Sequence, residues 1–218
     1  MSMMGHVAAL TPAQIAAFDT KPDLVAPYAI TASEGEAAAQ RDLALSRLPP
    51  EARQQYEAGR RQLFEQDPRL AEQEKRDDAA RAVLAALGPF APRLDLGKTW
   101  HILHYLLTGH TDAASAPGDA ILGGAPIGED MGYGPARLHD PGQTRQFADV
   151  LVALDAGRLT TRMDFALMRR LRVYPLFGEP DAREDQGWRD DSLRAFAALK
   201  AYVAQAADRG DGLLTWLS

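Results

Sequence analysis

Two stretches of the chain share one pattern of apolar and polar positions. In HVAALTPAQIAAF (residues 6–18) an apolar run stops at Thr11, a proline follows, and Ile15 and Phe18 recur at helical spacing. A threonine there can accept from the open N–H groups of a first helical turn, and Pro12 has no N–H to leave unsatisfied. The segment reads as strand, cap, helix. ARLHDPGQTRQFADVLVAL (136–154) repeats this, with Asp140 as cap, Pro141 as first helical residue, and Phe147, Val150, Leu151 and Leu154 as the apolar stripe. The two strands are expected to share one small sheet.

Most of the rest carries a helical period. Ser33 with Glu36 fits a capping box, and PPEARQQYEAGRRQLFEQ opens on proline. DPRLAEQEKRDDAARAVLAALG takes Asp67 as cap, sets Pro68 just inside the helix, and stops at Gly88. Its middle is polar and charged, so it is expected to be solvated and to touch the body through Val83, Leu84 and Leu87. LDLGKTWHILHYLLTG is apolar nearly all round, with Asp95 read as cap and Gly109 as stop, which describes a buried central helix. The final stretch predicts an amphipathic helix ending near Gly210, then a strand, LLTWL, covered on both faces. The expected fold is α+β: a helix-rich single domain over 1–218 with a small mixed or antiparallel sheet. Residues 33–88 are expected as a charged helical insertion, a surface excursion or a partner-binding arm.

Composition narrows the function more than the fold. The chain has 218 residues, 46% hydrophobic and 25% charged, as globular proteins do. Its formal charge is −6, which disfavours a dedicated nucleic-acid binder and suits a small ligand or a basic partner protein. With no cysteine, disulfides, thiolate-bound zinc and thiol nucleophiles are all excluded. The opening MSMMGHVAALTPAQ does not read as a secretory signal, and no apolar run approaches the roughly 18–20 residues that span a bilayer. The expected compartment is the cytoplasm, with no membrane contact. Abundant Ala and a preference for Arg over Lys point to a GC-rich bacterial genome.

GGAPIGEDMGYGPARLH (123–139) is the one glycine-dense stretch. It lacks the Gly-Lys-Ser/Thr ending of a phosphate loop and the spacing of a dinucleotide fingerprint. What remains is either a structural turn or a loop bringing backbone N–H groups close to a ligand. His101, His104 and His110 precede it, followed by Asp112, but their spacing does not match zinc-helix histidines, so no metal and no cofactor is expected. They read as hydrogen-bonded structural residues or as a general acid–base group. The adjacent Glu129 and Asp130 make a weak carboxylate pair, and no serine-hydrolase elbow is present. Arg137 falls on the same strand face as His139, where it can grip a carboxylate or phosphate, or pair internally with Asp95 or Asp119.

Taken in order, MGH with LTPAQ, LDLGKTWHILHYLLTG, AILGGAPIGEDMGYGPARLHDPGQ, VYP at 173–175 and LKAYVAQAADRGDGLLTWLS resemble the YfbM-like family of bacterial proteins, a family of unknown function. The resemblance implies an α+β domain and carries over no activity, cofactor or catalytic residue. Residues 33–88 depart from it, being longer and more charged.

The leading functional expectation is a binding domain for a small anionic ligand or a partner protein, an immunity-like capture of a basic toxin being one form. The candidate ligand-binding residues are Lys98, His101, His104, Gly123, Gly124, Tyr133 and Arg137. Of these, Lys98, His101, Tyr133 and Arg137 are expected to face one cleft, with Gly123 and Gly124 giving backbone access. The alternative is a hydrolase or transferase using His101 or His104 with Arg137.

Overall fold

The computed structural model describes residues 2–114, 118–179 and 181–218, and their side chains apart from 33–42. Contacts divide the chain into two compact units, Asp23–Pro89 and the rest (Met1–Pro22 with Phe90–Ser218).

The larger unit begins as the sequence pattern predicts. Strand β1 (Gly5–Leu10) runs into helix α1 (Pro12–Thr20) through a complete capping box, in which Thr11 accepts from the N–H of Gln14 and Gln14 accepts from the N–H of Thr11. The echo is just as literal. Strand β4 (Ala136–His139) leads to α6 (Pro141–Ala153), and Asp140 and Gln143 make the same reciprocal pair.

These strands lie in one antiparallel sheet with the order β2-β1-β5-β4-β3, where β2 is Leu94–Gly97, β3 is Ala125–Ile127 and β5 is Gly212–Leu217. β5 sits between the two echoing strands and pairs with both. Residues 212–216 are all buried, as expected of a strand covered on both faces. Helix α5 (Trp100–Thr108) buries Trp100, Ile102, Leu103, Leu106 and Leu107 in the core, and Gly109 ends it in a left-handed conformation. The helix begins later than its pattern predicts. Asp95 is no cap, because residues 94–97 pair with β1, and its carboxylate accepts instead from the N–H of Gly97. Two short helices follow α6, α7 (Ala156–Arg162) and α8 (Phe165–Arg170), before the long α9 (Ala182–Arg209). Gly210 stops α9, and Leu199, Val203 and Ala206 join the core. From α9 the Tyr202 hydroxyl accepts from the N–H of Ala9 and donates to the Pro92 carbonyl, each at 2.8 Å.

The smaller unit is three consecutive helices, α2 (Val25–Ser46), α3 (Pro50–Gln66) and α4 (Pro68–Ala86). α2 starts upstream of the Ser33–Glu36 pair read as its beginning, and those two side chains lie outside the described residues. Asp67 closes α3 and caps α4, as its sequence predicts. α3 buries no residue, and an Arg60–Glu74 ion pair ties it to α4.

Candidate functional site

The turn that leads from the α5 region to β3 is held by one carboxylate. Asp119, 2% exposed, accepts from the N–H of Ala114 (2.7 Å) and of Leu122 (2.9 Å). Its Oδ1 also lies 3.2 Å from Nδ1 of the fully buried His104, off the alignment of a good hydrogen bond. Burial opposes ionisation of Asp119, yet His104 and the two backbone donors outweigh it and hold the carboxyl below its ordinary range. The other His104 nitrogen, Nε2, bonds the Asp112 carbonyl at 2.9 Å.

His101 is engaged as fully. Its Nδ1 accepts from the N–H of Tyr174 (3.0 Å), so the hydrogen sits on Nε2, which donates to the Thr111 carbonyl (2.8 Å). The ring stacks on Trp100 at 4.8 Å, and burial pushes its pKa down. Both histidines tie α5 to the loop that follows it.

Past Asp119 the chain runs through Gly123 and Gly124 onto β3, packed too closely for side chains. A Cβ on Gly123 would collide with the Asp119 carbonyl. Gly124, at φ +82°, would put one 2.7 Å from the Leu138 carbonyl. The glycines are needed for close packing, which leaves the turn as their first explanation.

Above them lies a recess of about 490 Å³ lined by Arg137, Asp119, Gln143, Gln146 and Phe147 together with Leu122, Ala113, Ala114 and the two glycines. Arg137 sits on β4 opposite Thr215 of β5 and Pro126 of β3. Among the described residues its guanidinium makes no hydrogen bond and no salt bridge; neither Asp95 nor Asp119 pairs with it. Gln143 spends its carbonyl oxygen on the N–H of Asp140 and keeps its NH₂ as a donor.

Beside this recess His139 is fully buried, edge-on to Phe147 at 4.9 Å, and neither ring nitrogen has a hydrogen-bond partner among the described residues. Burial pushes its pKa down to about 4, against the pull of Asp119 and Asp140, with Arg137 adding to the drop. The ring is neutral at pH 7. Sequence reading put Arg137 and His139 on one face but gave no sign that His139 would lack a partner.

The remaining candidates lie elsewhere. Lys98, exposed on the turn before α5, lines a different recess of about 560 Å³ with Met4, Asp95, Trp188, Asp191 and Arg194. Tyr133, 36% exposed, sits in the loop that Asp130 pins by accepting from the N–H groups of Gly132 and Gly134. The structure therefore brings Arg137, Gly123 and Gly124 together, sets His104 behind them through Asp119, and leaves Lys98, His101 and Tyr133 outside that recess.

A second grouping went unread in the sequence. His6 Nε2 is 2.8 Å from Ser218 Oγ, and its Nδ1 is 3.8 Å from Asp95 Oδ1, the outline of a Ser-His-Asp site. Arg93 undoes it. Its Nη1 lies 2.8 Å from His6 Nδ1, and a guanidinium only donates, so the ring hydrogen sits on Nε2 and points at the serine. An imidazole held so cannot take the serine proton. Among the described residues no group of three or more His, Asp or Glu is placed to hold a metal ion, and no helix is long and apolar enough to cross a membrane.

No curated protein matches the chain. Among solved structures it is similar to YfbM from Escherichia coli, a protein of unknown function, at 15% identity over 99% of both chains and a TM-score of 0.59; that likeness is one of fold. A family model described as a domain of unknown function (DUF1877) matches residues 1–216, so the chain belongs to that family.

Proposed function

We propose that the protein is a binding module whose site is the recess around Arg137, and that its guest is a small anionic ligand. The observation that carries this is the uncommitted guanidinium. A half-buried arginine with no partner among the described residues, beside a glutamine NH₂ with none there either and an apolar floor at Phe147, is a group kept for a ligand. The volume falls within the usual range of small-molecule pockets. A catalytic use of His101 or His104 has less support, because Thr111, Tyr174, Asp112 and Asp119 already face their ring nitrogens. The cytoplasmic location expected from the sequence is part of the same reading.

The test is a thermal-shift screen of acetate, succinate, phosphate and sulfate against the native protein and Arg137→Gln. At a hundredfold excess over Kd a ligand stabilises by about 2.7 kcal/mol, which raises Tm by roughly 5–10 °C in a chain of this size. At least one anion should do this for the native protein and not for the variant. Identical responses of the two proteins to every anion would defeat the proposal.

A further inference from the structure

The groups around Arg137 also restrict which anion fits. Building on the anion-binding reading above, we propose that the guest is a singly charged carboxylate joined to an amide, the chemistry shared by an N-acylated amino acid and a peptide C-terminus.

The charge balance argues against a dianion. Among the described residues Arg137 and Asp119 are the charged groups lining the recess, and Asp140 caps the adjoining helix. His139 adds no positive charge at neutral pH. The N-terminus of α6 is already answered by the Asp140 carboxylate, which accepts from the N–H of Gln143. A phosphate dianion would meet one guanidinium against two nearby carboxylates. A monocarboxylate matches a single guanidinium fork with two parallel hydrogen bonds.

The rest of the lining asks for more than a bare oxyanion. The Gln143 NH₂ is a donor, and the Gln146 amide is both donor and acceptor, with no partner for either among the described residues. A guest amide carbonyl and N–H answer these groups in kind. Phe147, Leu122 and Ala114 supply an apolar wall for the carbons between.

The test is a titration of the ¹⁵N-labelled full chain, following the side-chain amides of Gln143 and Gln146 and the backbone amides of Gly123 and Gly124. The probes are N-acetylglycine, N-acetylglycinamide, N-acetyl-Ala-Ala-Gly and inorganic phosphate at matched ionic strength. N-acetylglycine should shift these signals saturably. N-acetylglycinamide, which keeps the amide and loses the charge, should bind at least about tenfold more weakly. Tighter binding of the tripeptide supports a peptide terminus as the source, and entry of the small acid alone supports a free metabolite. If acid and amide bind equally, or phosphate binds more tightly than N-acetylglycine, the carboxylate assignment is overturned. Phosphate saturating the same signals would leave the anion site standing, whereas no response to any probe would remove both.

Discussion

The backbone of Gly124 lies directly against the imidazole of His139: a Cβ there would stand 2.8 Å from ring Cε1 and 2.9 Å from Nδ1. Gly124→Ala must therefore move a fully buried ring or the β3–β4 pairing, and it also strains a backbone at φ +82°. Both penalties apply, for a loss of about 2–5 kcal/mol. Gly132→Ala, at φ +102° with nothing within 4 Å, should carry only the backbone penalty, roughly 1–2 kcal/mol. Urea denaturation of the two variants compares them, and equal losses would contradict the packing role of Gly124.

His139 should make the fold sensitive to mild acid. Its pKa drops from 6.5 in the unfolded chain to about 4 when folded. As pH falls below 6.5 the unfolded state takes up a proton that the folded state refuses. The stability is fully present above pH 6.5, and roughly 3 kcal/mol of it is lost on the way down to pH 4. His6 and His101, also lowered by burial, act in the same direction. The difference between the native protein and His139→Leu isolates this residue: the variant's unfolding free energy should fall less steeply over that window. Parallel curves would show that the ring is not a buried neutral imidazole.

Asp119→Ala removes the partner of His104 and the acceptor for two backbone donors. Each buried N–H left without its acceptor costs about 1–3 kcal/mol. Hydrogen exchange gives the more specific readout: the Ala114 and Leu122 amides should lose protection before those of β1 and β5. A uniform change across the sheet would mean that Asp119 supports the whole fold and not this turn.

Ser218 should be inert to serine-directed fluorophosphonates, because Arg93 orients the His6 ring to donate toward it. Intact mass after incubation reads the result. A stoichiometric adduct on Ser218 would show that the imidazole can turn over and act as a base.

What could be read from sequence was whatever is encoded locally. The Thr11–Pro12 and Asp140–Pro141 junctions, the Asp67 cap and the Gly210 stop each depend on residues within a turn of one another, and each stands in the structure. The β2 strand could not be read this way. Leu94–Gly97 is extended because β1 offers it hydrogen bonds from nearly ninety positions away, and nothing within LDLG records that. α2 begins after Leu24 with no side-chain cap, so no residue marks its start. For the site, strand alternation puts Arg137 on the face of His139, two residues along β4. Lys98 stands three positions before His101, a helical spacing, but α5 begins two residues after it, and so it faces another recess.

The middle position of β5 also sets the order in which the sheet can assemble. β1 bonds β2 and β4 bonds β3, but the two pairs meet only across residues 212–217, which follow every other strand in the chain. During synthesis the first 211 residues can make helices and two separate ribbons, neither of which has its inner edge covered. Sheet closure waits for the final strand, whose partners in β1 lie some two hundred residues back, so the last pairing carries the loop-closure cost of a long-range contact.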